Sequence, residues 1–158
     1  MIRKVKISDL DICADLIRQS FLPIAEKFNI TKENSPNYVA FSTDCNKLKN
    51  QYDNGREMFV YTDNDKIIGY FSLQITDDEC ELNNLCVLPE YQHKGIGTVL
   101  LNYAISYSLQ NNLSKIKLSI VNENNILKNW YSSFGFVHTH IMKYEFFSFT
   151  CGYMEIKL

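Results

Sequence analysis

The stretch that most constrains this chain runs from Glu81 to Leu101 and reads E-L-N-N-L-C-V-L-P-E-Y-Q-H-K-G-I-G-T-V-L-L. A short strand rich in apolar and β-favouring residues ends at Pro89. It passes through a turn and meets Gln92-His93-Lys94-Gly95-Ile96-Gly97-Thr98 where a helical pattern begins. The first turn of a helix carries N–H groups without intrahelical partners, and the macrodipole adds partial positive charge there. Glycines at 95 and 97 lack a Cβ, so an anion can approach the backbone closely. Lys94 adds a full charge and Thr98 a hydroxyl. This segment reads as a phosphate cradle.

The dinucleotide fingerprint is excluded, because Leu100 stands where its third glycine belongs, and the G-x-x-x-x-G-K spacing of a P-loop is absent. The pattern Q-x-x-G-x-G following V-x-P-x-Y instead resembles the pyrophosphate-binding signature of the GCN5-related N-acetyltransferases, the GNAT family. A second run, N-x-x-x-x-x-x-Y-x-x-x-G-F at Asn124, Tyr131, Gly135 and Phe136, lies where that family usually has it. The resemblance covers nearly the whole chain and is most specific over residues 81–136. It implies acetyl-CoA as cosubstrate. It also implies an α/β fold: a mixed, mostly antiparallel twisted sheet, with a central parallel strand pair splayed around acyl-CoA and about four flanking helices. The departures from the family pattern are small, with His93 in place of a small or basic residue and Leu127 in place of alanine.

The length of 158 residues suits a single domain spanning 1–158, long enough to bury roughly 70% of its unfolded surface. With 46% hydrophobic and 22% charged residues, the composition is that of a soluble globular chain. A net charge of −2 argues against nucleic acid as a partner. No apolar run is long enough to cross a bilayer, and Met1-Ile2-Arg3-Lys4-Val5-Lys6 lacks the apolar core of a signal peptide. No membrane partner and a cytoplasmic location are expected, and nothing in the sequence excludes a homodimer. The five cysteines include no C-x-x-C pair and read as reduced thiols.

In chain order, residues 1–7 read as a strand, and Ser8, Asp9 and Asp11 open a helix bearing Leu10, Cys13, Leu16, Ile17 and Phe21 on one face. From Phe21 to Asn54 the pattern is helical in pieces, punctuated by Pro23 and Pro36. Ser42-Thr43-Asp44 is expected to cap one piece and Asn54-Gly55 to stop it. In the GNAT family the corresponding helices commonly shape the acceptor pocket, which makes Phe28, Tyr38, Phe41 and Tyr52 candidate lining residues. Met58–Tyr61 and Lys66–Thr76 read as two strands joined by an Asp63-Asn64-Asp65 turn, followed by the cradle strand. On that strand Leu82 and Leu85 both look like core residues, yet strict alternation puts them on opposite faces. One extra residue near Asn83-Asn84, a β-bulge, reconciles them. The resemblance implies that such a bulge splays the strand, freeing the backbone of Leu85, Cys86 and Val87 for the pantetheine arm. Lys115–Ile120 reads as a strand parallel to the cradle strand, Asn124 caps a further helix closed by Gly135, and Phe136–Phe147 and Thr150–Leu158 read as final strands.

The implied reaction is direct attack of a neutral amine on a thioester. An alkylamine of pKa ~10.4 is mostly protonated at neutral pH, and exposing the free base costs about 4.6 kcal/mol, so a base is useful. Glu81 stands eleven residues before Gln92, as does the catalytic glutamate of the histone-acetylating branch, and is the candidate base. The Val87 N–H is the candidate oxyanion donor, and Tyr131 the candidate acid for the leaving thiolate. Asn124, together with residues 92–98 (Gln92, His93, Lys94, Gly95, Ile96, Gly97 and Thr98), completes the acetyl-CoA set. His138 and His140 would share one strand face but have no third ligand in sequence, so no metal is expected. The acceptor would be a small-molecule or peptide amine. The alternative reading is a non-catalytic acyl-CoA-binding sensor, which would need neither Glu81 nor Tyr131.

Overall fold

In the computed structural model, which describes residues 1–158, seven strands form one sheet in the order β1-β2-β3-β4-β5-β7-β6. The strands are β1 (Ile2–Lys4), β2 (Glu57–Asp63), β3 (Lys66–Thr76), β4 (Glu79–Val87), β5 (Lys115–Val121), β6 (Val137–Met142) and β7 (Cys151–Lys157). The helices are α1 (Leu10–Lys27), α2 (Val39–Ser42), α3 (Cys45–Asp53), α4 (Ile96–Gln110) and α5 (Asn125–Ser133). Every strand pairing is antiparallel except β4 with β5.

Local chemistry sets most boundaries. Asn64 and Asp65, both with positive φ (47° and 65°), make the tight two-residue turn from β2 to β3, the geometry whose twist matches that of a hairpin. Asp44 caps α3 by accepting from the Lys47 N–H at 2.8 Å, and Gly55 follows its end at φ 82°. The sheet has two apolar faces. Leu10, Cys13, Leu16 and Ile17 of α1 and Leu48 of α3 pack with Val60, Ile68, Tyr70 and Cys86 on one face. Leu100, Leu101 and Ala104 of α4 and Tyr131 of α5 pack with Phe71, Leu73, Leu82 and Val87 on the other. A third cluster joins Ala25, Ile30 and Tyr38 to Val121, Phe149 and Cys151.

Three sequence expectations are corrected. Pro23 does not break α1, which runs on to Lys27. Pro23 and Gln19, whose carbonyl loses its helical donor, are both exposed, so water can replace the missing bond. His138 pairs with Met154 and His140 with Tyr153, so the bulge at Thr139 turns the two histidines to opposite faces. His140 stacks on Tyr153 with ring centroids 4.4 Å apart. Finally, the strand from Phe136 ends at Met142 rather than Phe147. Phe147 stacks on Phe149, and Ser148 N–H donates to Ser35 Oγ at 2.9 Å, which pulls this segment onto the α1–α2 connection and out of the sheet.

Candidate active site

The site is built where β4 and β5 part. Their parallel pairing is confined to Glu79–Glu81 against Lys115–Lys117. Lys117 meets Glu79 at 2.7 Å, and Lys115 meets Glu79 and Glu155 at 3.5 and 3.3 Å, which clamps the strands at that end. Beyond Glu81, β4 bulges: Tyr70 opposes Cys86 and Ser72 opposes Asn83, so Asn84 and Leu85 together face the single residue Phe71. Asn84 takes φ 54°. The bulge returns Leu85 and Val87 to the face of Cys80 and Leu82, which resolves the parity break in the sequence.

The bulge and the splay together release backbone groups. Leu88 N–H donates to Ile68 O at 2.9 Å, so by antiparallel alternation the Val87 groups point away from β3 toward the gap. The Val87 carbonyl accepts from Gln92 Nε2 at 3.0 Å. Cys86 pairs across to Tyr70, and its thiol lies on the opposite face, where burial pushes its pKa up. Cys86 therefore reaches the gap with neither backbone nor side chain.

Past Pro89 the chain makes a single 3₁₀ turn to Tyr91 and enters the cradle. His93 (φ 62°) and Gly95 (φ 84°) both adopt left-handed backbone, and α4 begins at Ile96 with no side-chain cap on its first N–H groups. Those donors remain available to an anion. A Cβ on Gly97 would meet the Trp130 ring at 3.6 Å, and nothing lies within 4 Å of one on Gly95. Lys94 Nζ lies 5.4 Å from the Tyr91 ring centroid, and Thr98 is half-buried at the start of the helix.

Between the splayed strands lies a cleft of about 330 Å³. Leu82, Asn83, Asn84 and Leu85 form one wall, and Leu118 to Val121 with Asn124, Leu127 and Tyr131 form another. Tyr131 is 5% exposed, and burial pushes its hydroxyl above the ordinary tyrosine value, with the Cys86 thiol adding to the shift. It is neutral at any physiological pH. The Asn124 carboxamide oxygen accepts from Leu127 N–H at 3.1 Å, which caps α5 and presents Asn124 to the cleft.

Glu81 stands at the last paired rung, exposed, and lines a small separate hollow with Gln74, Glu79 and Lys117. Its carboxylate accepts from Asn83 Nδ2 at 2.8 Å, and Asn83 Oδ1 accepts from Arg56 Nη1 at 3.2 Å. Asn83 and Arg56 both line the main cleft, so Glu81 is joined to it through one amide. Of the four aromatics expected in the acceptor pocket, only Tyr38 lines it. Phe28 and Phe41 pack on the third apolar cluster, and Tyr52 on the cluster beneath α1. Sequence reading missed Phe21, Lys47, Arg56, Phe147 and Phe149, which do line it. Phe147 and Phe149 were visible only as an aromatic run, and Arg56 had no motif around it. No group of three or more His, Cys, Asp or Glu side chains is arranged to hold a metal ion.

The sequence pattern of the acetyltransferase (GNAT) family matches residues 26–136. The chain belongs to this family. A ribosomal protein bS18-alanine N-acetyltransferase of Haemophilus ducreyi is 34% identical over 83 residues, which cover 52% of this chain and 57% of that protein. Among solved structures, the PaiA N-acetyltransferase of Thermoplasma acidophilum in complex with coenzyme A superposes with a TM-score of 0.84 at 23% identity, over 100% of this chain and 98% of that one. The ribosomal-protein-S18-alanine N-acetyltransferase of Escherichia coli gives a TM-score of 0.81 at 19% identity, over 99% and 92%. Both share the fold of this chain.

Proposed function

We propose that the protein is an acetyl-CoA-dependent N-acetyltransferase acting directly on a primary amine of a small molecule or peptide. The observation that carries this reading is the splay itself. With a bulge at Asn84 and Leu85 and the parting of β4 from β5, the Val87 N–H faces the gap, and Gln92 links that strand end to a cradle of uncapped helix donors. Membership of the GNAT family and the similarity to the bS18-alanine N-acetyltransferase support it.

In this reading the N–H groups of Gly95 to Thr98 hold the pyrophosphate, with Lys94 adding charge, and the left-handed His93 and Gly95 shape the loop for that approach. The freed backbone of Leu85 and Val87 pairs with the pantetheine amides, and Asn124 contacts the same arm. When bound, acetyl-CoA supplies a thioester whose carbonyl carbon gains a bond to the amine nitrogen as its C–S bond breaks and the thiol departs. The Val87 N–H is aimed to hold the developing oxyanion. Glu81 takes the ammonium proton through water, since its carboxylate stands one residue outside the cleft. The Tyr131 hydroxyl gives a proton to the departing sulfur and regains one, through water, from the second proton that the nitrogen sheds as the amide forms.

Incubation with acetyl-CoA and a panel of primary amines, with acetylated product read by mass spectrometry and released thiol by a chromogenic disulfide, tests the proposal. Protein that binds CoA tightly yet acetylates no amine would be a binding module and not an enzyme.

A further inference from the structure

Apart from the cradle, the cleft has a one-sided charge. The chain contains 18 acidic residues, yet none lines the cleft, and the only charged residues on its walls are Lys47 and Arg56. Neither is neutralised. Arg56 donates to Asn83 Oδ1 at 3.2 Å and to Gln74 Oε1 at 2.7 Å, and Lys47 Nζ donates to Ser42 Oγ at 3.2 Å, so all their partners are uncharged. Neither takes part in any of the chain's ion pairs. None of residues 92–98 lines this cleft, so the two cations are separate from the anion site at the start of α4. The wall beyond them is apolar, made by Phe21, Ile24, Tyr38, Val39, Phe147 and Phe149.

From this arrangement we infer that the acceptor amine carries a carboxylate on an apolar body, as an apolar α-amino acid does, with Arg56 and Lys47 as the residues that select it. The inference rests on the acetyl-transfer reading for its chemistry and on the cleft alone for its specificity. A guanidinium presents paired N–H donors that match a carboxylate, and a half-enclosed cleft strengthens the bond relative to open water. Polyamines meet the opposite situation, because their extra ammonium groups would face two cations with no carboxylate to offset them. The same positive field favours the neutral form of the acceptor amine, which is the form that attacks. Arg56 also holds the Asn83 amide that Glu81 grips, so the carboxylate anchor and the base share one hydrogen-bonded support.

Calorimetric titration of the CoA-saturated protein separates selection from catalysis. The probes are phenylalanine, leucine and methionine against their decarboxylated amines, with spermidine as a polycation. Each amino acid is expected to bind at least about tenfold more tightly than its amine, a difference of about 1.4 kcal/mol. Arg56→Gln is expected to abolish that preference, and Lys47→Gln, a change on the exposed side of α3, to reduce it. Amino acids that bind no better than their amines, spermidine binding more tightly than all of them, or a preference that survives both substitutions would overturn the inference. Replacing CoA by acetyl-CoA and scoring acetylated product by mass tests the transferase reading separately. A protein that acetylates amines without regard to their carboxylate sinks only the specificity, and one that selects amino acids without acetylating them sinks only the chemistry.

Discussion

Gln92 Nε2 donates to the Val87 carbonyl at 3.0 Å, tying the first residue of the anion cradle to the strand residue whose N–H faces the gap. That bond links the loop leading to the uncapped donors of α4 with the freed backbone of β4, the two halves of the proposed cosubstrate site. Between Val87 and Gln92 lie only Leu88, whose N–H is fixed to Ile68 O, and the 3₁₀ turn Pro89–Tyr91. Such short, bonded connections suit a site that must align a pyrophosphate at one end with a thioester at the other.

The cradle is tested most cleanly at Gly97. A Cβ there makes ordinary contact with Trp130, and the backbone is helical, so substitution need not strain the fold. Gly97→Asp puts a negative charge at the first turn of α4, which favours the helix by about 0.3–1 kcal/mol while repelling a pyrophosphate. The melting temperature is expected to hold or rise as acetyl-CoA affinity falls by about 100-fold or more, measured by isothermal titration. Gly95→Asp should lose affinity and stability together, because φ 84° is unfavourable for any side chain. Unchanged affinity in folded Gly97→Asp would remove the cradle from the site.

Glu81 is predicted to act on the protonated acceptor through water. Glu81→Gln keeps the shape and the contact with Asn83 and removes the base. The expected fall in kcat/KM near neutral pH is about 10²–10⁴-fold, with partial recovery as pH rises and the amine deprotonates on its own. A pH-rate profile decides it, since a purely positional role for Glu81 would give a loss that does not change with pH.

How much of this was legible in sequence depends on whether the signal is local. The bulge showed itself as a parity conflict between Leu82 and Leu85, because both had to reach one core. The caps and stops at Asp44, Gly55, Asn64-Asp65 and Asn124 were readable because each is made by its own side chain or its own φ. The course of α1 through Pro23 was not, since it depends on exposure of Gln19, a tertiary fact. The bulge at Thr139 broke the apparent pairing of His138 with His140 through strand register, which β6 alone does not reveal. Arg56 and Phe147 enter the cleft only because the α3–β2 and β6–β7 connections converge on it from distant parts of the chain.

The buried thiols give the protein an alkaline limit. Burial pushes the Cys13 thiol from 9.0 up to about 12 and raises that of Cys86 as well. Folding therefore favours the protonated thiol. The corresponding stability is complete below the unfolded value near 9 and is lost as pH rises toward about 12. Each such thiol contributes a slope of about 1.36 kcal/mol per pH unit within that window. Urea unfolding under reducing conditions at several pH values across the window should show Cys13→Ala with a slope shallower by about one proton. An unchanged slope would mean that Cys13 does not titrate on unfolding.

Tyr131 separates an acid from a packing residue. Its ring lies 4.9 Å from that of Trp130 and 5.5 Å from that of Phe136, centroid to centroid, on the apolar side of α5, while the residue also lines the cleft. Tyr131→Phe keeps the ring, its volume and those contacts, and deletes only the hydroxyl. Burial holds that hydroxyl protonated well beyond neutral pH, which keeps it a hydrogen-bond donor toward the departing sulfur. It also makes the hydroxyl a weaker acid than a free thiol of pKa about 8.5, so the transfer is uphill unless the oxygen regains a proton as the step proceeds. If the hydroxyl supplies that proton, kcat falls by about 10²-fold in Tyr131→Phe while acetyl-CoA affinity and melting temperature scarcely move. The deficit should lessen when the leaving thiol is made more acidic, because a better leaving group needs less help from an acid. Steady-state kinetics with acetyl-CoA and with an acetyl thioester of a more acidic thiol measures both effects. A fully active variant would pass the proton to water and leave Tyr131 as a wall of the cleft, with the hydroxyl worth at most about 1 kcal/mol of stability through a buried hydrogen bond.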